Sequence, residues 1–246
     1  MFSFKSMSRI RKIYFIRLAG RCLVLLAALL LLLIRPQAFA VLTGMHFFDG
    51  FSPLHLLWAI WVIDMLAQII PIQKHISIGS LKVFRQSFRP IREKINAAAL
   101  KAYIANTTRA AYKVMIVWCA LVGAIGFLHF SGVFSVTALF FITLLFYICD
   151  LICVLIWCPF RLMMKNRCCT TCRIFNWDHL MMFSPMLFVP SFYCWSLFAL
   201  SVLAFLTWEG CVILFPERFW EFSNAALQCA NCTDKLCTQY CRKLRS

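Results

Sequence analysis

The sequence predicts an all-α, polytopic helical transmembrane protein with five to six membrane segments, a basic amphipathic cytoplasmic helix and a cysteine-rich C-terminal tail. Three observations carry that reading. The 246 residues are 63% hydrophobic and 14% charged, with mean hydropathy +0.81, whereas soluble domains hold about 45–50% apolar and about 25% charged residues. A soluble chain of this length has too little interior for so much apolar surface. Apolar runs recur near the length of about 20 residues that spans the hydrocarbon core. Finally, 24 of the 25 Lys and Arg residues fall in four stretches between those runs, leaving only Arg35.

Residues 1–72 read as an N-terminal helical pair, with spans over about 18–34 and 53–72. The basic leader, from Lys5 to Arg21, precedes the first span, and Arg17 and Arg21 are long enough to snorkel to the headgroups. Ala38-Phe39-Ala40 mimics a signal cleavage site, but the long leader and the later spans favour a retained anchor. Residues 73–113 form a basic loop with nine Lys or Arg residues. From Arg89-Pro90 to Lys113 the pattern is alanine-rich and helical, fit to lie on anionic headgroups or to stand as a solvated connector. Residues 114–158 form a transmembrane hairpin turning at Ser131-Gly132. Residues 159–180 carry a cysteine motif, and 181–215 a membrane segment broken by Pro185 and Pro190. Residues 216–246 are the tail.

The charge placement gives orientation. Basic loops stay on the cytoplasmic side, which puts the N-terminus, and with six segments also the C-terminus, in the cytoplasm. The net charge of +16 then meets anionic lipid headgroups rather than nucleic acid. Asn106-Thr107-Thr108 and Asn231-Cys232-Thr233 match a glycosylation pattern on the wrong side of the membrane.

Seven of the 14 cysteines form two groups: Cys168, Cys169 and Cys172, then Cys229, Cys232, Cys237 and Cys241. Each contains a C-x-x-C pair, the spacing at which two thiolates reach one metal ion or close one disulfide. Four of these thiolates, most simply Cys169, Cys172, Cys229 and Cys232, suit a closed zinc site, and the larger set suits an iron–sulfur cluster. Arg167, Arg173 and Lys235 lie close in sequence and favour thiolate over thiol. The other seven cysteines, including Cys149, Cys153 and Cys158, read as small hydrophobes. Asp178 is placed to cap a helix or pair with Arg173, and His179 is a further candidate ligand.

The block C-C-T-T-C-R-I-F-N-W-D (168–178), with Trp208-Glu209 and Pro216-Glu217-Arg218-Phe219, resembles uncharacterised bacterial polytopic membrane proteins. The resemblance implies a bacterial cytoplasmic (inner) membrane and a functional cysteine motif, with no activity to transfer.

Two acids lie within apolar spans. Asp64 and Asp150 each sit nine or ten residues from the cytoplasmic exit, about 14 Å deep at about 1.5 Å per residue. A carboxylate there must pair, face the bundle interior or stay protonated. Three functions follow: a cytoplasmic cysteine-ligated metal site, a membrane thiol–disulfide oxidoreductase, and a small proton- or cation-coupled transporter using Asp64 and Asp150. No G-x-S-x-G, H-E-x-x-H, Walker or G-x-G-x-x-G pattern points to an enzyme of those classes.

Overall fold

A computed structural model describes residues 8–70, 76–91, 95–166 and 168–236, and it is helical throughout, with two isolated β-bridges among the described residues. Four helices are long and apolar enough to cross a membrane: α1 (Arg9–Ile34), α4 (Ala97–Phe130), α5 (Val136–Leu155) and α8 (Phe192–Leu214). A fifth apolar helix, α2 (Pro53–Ile69), is shorter. Between them lie the short helices α3 (Ile78–Leu81), α6 (Phe160–Met164) and α7 (Asp178–Phe183).

Local chemistry sets these boundaries. The five apolar helices all begin at a residue whose side chain accepts from the exposed first-turn amides: Ser8, Ser52, Asn96, Ser135 and Ser191. Ser52 and His55 form a reciprocal capping pair, and Pro53 occupies the first helical position, where its missing N–H costs nothing. Pro36 and Pro216 stop α1 and α8. Gly132 (φ 80°) supplies the left-handed turn between α4 and α5.

The basic connector differs from the expectation. It is not a separate helix beginning near Pro90: α4 starts at Ala97 and runs unbroken for 34 residues into the expected third span. Asn96 Oδ1 caps the helix by accepting from the Ala98 and Ala99 amides, and no proline or glycine interrupts 97–122, so nothing ends the helix at the membrane boundary. Arg92, Glu93 and Lys94 lie outside the described residues.

The broken segment resolves into α7, a 3₁₀ stretch over Ser184–Phe188 opened by Pro185, and α8. Its first half runs alongside the bundle. Trp177 bonds Glu209 near the end of α8, Trp118 on α4 donates to Ser184, and Phe188 meets Phe130 at the far end of α4. A Cβ on Gly126 would overlap the Phe188 ring, whereas one on Gly123 meets nothing within 4 Å. Gly126→Leu should therefore lower stability by about 1–3 kcal/mol through overpacking. Gly123→Leu should lower none, a contrast that equilibrium unfolding in detergent would read directly.

The two ends of the bundle are chemically distinct. At one, Ser52 donates to Ala38 O, Gly44 bridges Ser191, and Phe47 packs on Trp58 and Phe192. At the other, the start of α1, the segment after α2, the cysteine loop and the tail are tied together. Ser8 Oγ donates to Asp234 O (2.5 Å), Ile78 N to Asp234 Oδ2 (2.7 Å), Arg89 N to Asn224 Oδ1 (3.2 Å) and Arg218 Nη1 to Val83 O (2.9 Å). The core between them is built on Trp61, Tyr193, Phe183, Phe140 and Leu144. Outward-facing leucines, among them Leu23, Leu30 and Leu33 on α1, leave the flanks apolar.

Candidate functional site

The most polar part of the interior lies where α1, α2, α5 and α7 meet. Arg21 does not snorkel outward. It is buried against the ring of Tyr147 (3.9 Å), with Nη1 donating to Asp150 Oδ2 (2.6 Å) and to the Tyr147 carbonyl. Its Nη2 stands 4.0 Å from Asp64 Oδ2. The reason is the depth of both aspartates: a guanidinium that reaches them removes two unpaired charges from an apolar surround, which a headgroup contact would not.

Asp64 in turn approaches His179 Nε2 (3.4 Å), and His179 Nδ1 approaches Asp178 Oδ1 (3.4 Å). Both are charge contacts rather than directed hydrogen bonds, since neither imidazole nitrogen has a partner in hydrogen-bond geometry. Gln68, one turn from Asp64 on the same face of α2, donates to Asp178 Oδ2 (3.3 Å). A small cavity of about 60 Å³ opens among these groups, with Tyr14 and the exposed Arg17 at its margin. Gln68 Oε1 and Asp178 Oδ1 are buried there without hydrogen-bond partners.

Asp64 and Asp150 thus belong to one cluster, but Arg21 stands between them and they share no proton directly. Asp178 neither caps α7 nor pairs with Arg173. Its carboxyl turns to His179 and Gln68, and Arg173 is held by Glu209 instead (Nη1–Oε1 2.7 Å, Nη2–Oε2 2.5 Å). The sequence reading missed Arg21 and His179 as members. The readable signal was Asp64/Gln68 at i, i+4, facing whatever follows Trp177.

The cysteines divide differently from their grouping in sequence. Cys168, Cys169 and Cys172 line a largely apolar cavity of about 240 Å³ together with Cys149, Cys153 and Cys158 at the end of α5. Cys149 and Cys153 lie at i, i+4 on one helix face, with Cys158 just past its end. Cys229 is exposed, and Cys232 accepts from Lys235 N (3.4 Å). Cys232 also lies within electrostatic reach of Cys168. Cys237, Cys241 and Arg167 lie outside the described residues. Among the described residues, no three His, Cys, Asp or Glu side chains are arranged to hold one metal ion.

Nor do neighbouring cations make thiolates of this set. Burial pushes Cys169 up to about 12 and raises Cys172 and Cys232, and Arg173 is already occupied. Cys158 is the exception. A hydrogen bond from Cys153 and the amides of Arg161 and Phe160 overcome burial and bring it down to about 7. At pH 8 Cys158 should alkylate faster than Cys169 by about a hundredfold or more. Peptide mass spectrometry after brief iodoacetamide treatment measures that ratio.

Beside this loop Lys82 is completely enclosed, donating to Thr170 O (3.0 Å) and Cys172 O (2.8 Å) under the Trp208 ring. Burial pushes its ammonium down to about 7. Unfolded lysine titrates at about 10.4, so over that interval the unfolded chain holds a proton that the folded one has released. Stability then rises with pH from about 7 to about 10.4, by at most about 1.4 kcal/mol per unit. Lys82→Met should remove this rise, which unfolding curves at pH 7 and pH 9 would resolve.

Compared with family models, with curated proteins and with solved structures, the chain matches none.

Proposed function

We propose that this is a multi-pass membrane protein that takes up and releases a proton at the Asp64–His179–Asp178 cluster, as the coupling site of a small transporter. The chain crosses the bilayer six times, counting α2 and the 178–190 segment, with the basic end in the cytoplasm of a bacterial inner membrane. Charge accounting supports the site. Two buried basic side chains, Arg21 and His179, face three partly buried carboxyls: Asp64, Asp150 and Asp178. An apolar surround favours neutrality, so one carboxyl is left over to hold a proton. Asp150 is satisfied by Arg21 at 2.6 Å, which leaves the exchangeable proton on the two acids flanking His179. The exposed Arg17 at the margin attracts no proton and is screened by solvent.

The observation that carries this reading is the pair of unpartnered oxygens, Gln68 Oε1 and Asp178 Oδ1, beside an imidazole with two unsatisfied nitrogens. A purely structural cluster would satisfy them. In proteoliposomes on a solid-supported membrane, a pH jump should give a transient current that Asp64→Asn and Asp178→Asn reduce by about tenfold or more. Unchanged currents in both variants would contradict the proposal.

A second reading is favoured by one placement, that of Cys232 within electrostatic reach of Cys168. A thiolate-ligated zinc ion or iron–sulfur cluster drawing on Cys168, Cys169, Cys172, Cys229, Cys232, Cys237 and Cys241 would staple the tail to the cysteine loop. Elemental analysis of purified protein, with an absorption spectrum, tests it. Thiol–disulfide exchange at Cys169 and Cys172 is the weaker alternative, because their raised thiols are poor nucleophiles.

A further inference from the structure

The cavity at the end of α5 shares a wall with the charged cluster, for Asp150 and Asp178 line both. Asp150 is held by Arg21 at 2.6 Å. Asp178 instead meets the neutral Gln68 amide (3.3 Å) and a His179 nitrogen at 3.4 Å, and its Oδ1 has no hydrogen-bond partner. The rest of the lining is chiefly apolar. Trp118, Phe146 and Phe160 make an aromatic corner, with the indole centroid 4.9 Å from the Phe146 ring and 6.2 Å from the Phe160 ring. Trp118 Nε1 is fixed by Ser184 Oγ (3.1 Å), and Met181 and Met182 add polarisable thioethers.

Aromatic rings beside a carboxylate attract an organic cation, through the ring quadrupoles and the opposite charge. Mg²⁺ or Ca²⁺ would need several oxygen donors around one point. A quaternary ammonium ion needs none, because its charge is spread over apolar groups that pack against rings. The volume of about 240 Å³ exceeds the roughly 150 Å³ that accepts benzene, so a single ring or short chain bearing one ammonium group fits. The opposing charge on the lining, Arg161, is half-buried and screened by water.

We propose that this cavity binds one small quaternary ammonium ion, with its charge against Asp178 and its apolar groups against the Trp118 corner. Given the proton-binding reading above, on which its role as cargo rests, the ion and the exchangeable proton compete. Around Asp178 stand His179 on its own helix, Asp64 from α2 and Asp150 from α5. Arg21, Arg17 and Tyr14 face it from α1, Arg161 from α6, and the thiols of α5 and the cysteine loop from across the cavity; Glu209 of α8 turns to Arg173 instead. An added positive charge beside this set favours ionised carboxyls, so the bound ion expels the proton held beside His179. That proton passes to solvent, no covalent bond to the ion forms, and charge is conserved. By reciprocity the proton expels the ion.

Full-length protein in uncharged detergent is dialysed against radiolabelled benzyltrimethylammonium, whose fixed charge carries no proton of its own. The wild type should take up one equivalent above a protein-free micelle blank. Its affinity should rise about tenfold per pH unit over the range in which the exchangeable proton is held. Trp118→Leu and Asp178→Asn should each weaken uptake by about tenfold or more. Because a variant that folds poorly also loses binding, the wild type is footprinted as well. The ion should slow alkylation of Cys149 and Cys158, which line the cavity, by about tenfold or more and leave Cys229 unchanged. No saturable uptake by the wild type overturns the proposal, as does stronger uptake of the anion phenylmethanesulfonate. Lost uptake with an intact pH-jump current would overturn the ammonium site alone. Intact uptake with an affinity flat in pH would uphold the site and overturn the exchange.

Discussion

Glu209→Ala should cost about 3–5 kcal/mol of stability, the range found when one partner of a buried ion pair is removed. Arg173 is 4% exposed at its side chain and Glu209 14%, and their two parallel hydrogen bonds of 2.7 and 2.5 Å join the cysteine loop to the last turns of α8. Glu209 Oε1 also accepts from Trp177 Nε1 (2.8 Å), and Trp208 Nε1 bonds the Arg173 carbonyl (2.8 Å). Removing the carboxylate leaves a buried guanidinium without its counter-charge, and Arg173 Nε already lacks a hydrogen-bond partner among the described residues. Replacing both residues with Met should recover most of the loss, because an apolar pair of similar volume removes the buried charge altogether. Equilibrium unfolding of the single and double variants in mild detergent separates the two effects. A cost under about 1 kcal/mol, typical of an exposed pair, would show that water reaches this contact.

The second large effect is expected at Arg21. Arg21→Leu removes the cation that bonds Asp150 at 2.6 Å and stands 4.0 Å from Asp64, and breaks the packing of α1 on α5, since Arg21 also covers the Tyr147 ring. We expect a loss of about 3–5 kcal/mol, and the double variant Arg21→Leu/Asp150→Asn should be more stable than Arg21→Leu alone. That rescue is the diagnostic outcome. A double variant that merely sums the two single losses would mean that the residues act independently. Asp150→Asn alone should be milder, because Arg21 retains Asp64.

The helical membrane class was legible because it rests on composition and run length, and α1, α2, α5 and α8 fall close to the expected spans. Charge also placed the tail with the leader, and Ser8 and Asp234 meet at one end of the bundle. Ser52, Asn96, Ser135 and Ser191 cap four helix starts, a signal that hydropathy and charge counting left unused. The join of the basic helix to α4 was not legible, because positive-inside reasoning assumes that a span ends where charge begins, while a capped, alanine-rich helix continues through that boundary.

The site was half legible. Asp64 and Asp150 stand out against apolar neighbours and advertise themselves. Their partners do not. Arg21 follows a basic leader and looks like one more headgroup contact, and which face of α1 it occupies depends on packing against α5. His179 lies just before a proline-broken segment whose path along the bundle no local pattern reveals. Cys158 joins Cys149 and Cys153 at one cavity because of how α5 ends, in a turn where Trp157 N donates to Ile152 O. Motif spacing instead pointed to Cys229, Cys237 and Cys241, the first of which is exposed and the others outside the described residues.

One measurement bears most directly on the proton-binding claim: the infrared difference spectrum of the purified protein between acidic and alkaline buffer. A single protonated-carboxyl band should grow on acidification, persist in Asp150→Asn, and shift or vanish in both Asp64→Asn and Asp178→Asn. A spectrum without such a band, or one in which only Asp150→Asn removes it, would contradict the assignment of the exchangeable proton to the acids beside His179.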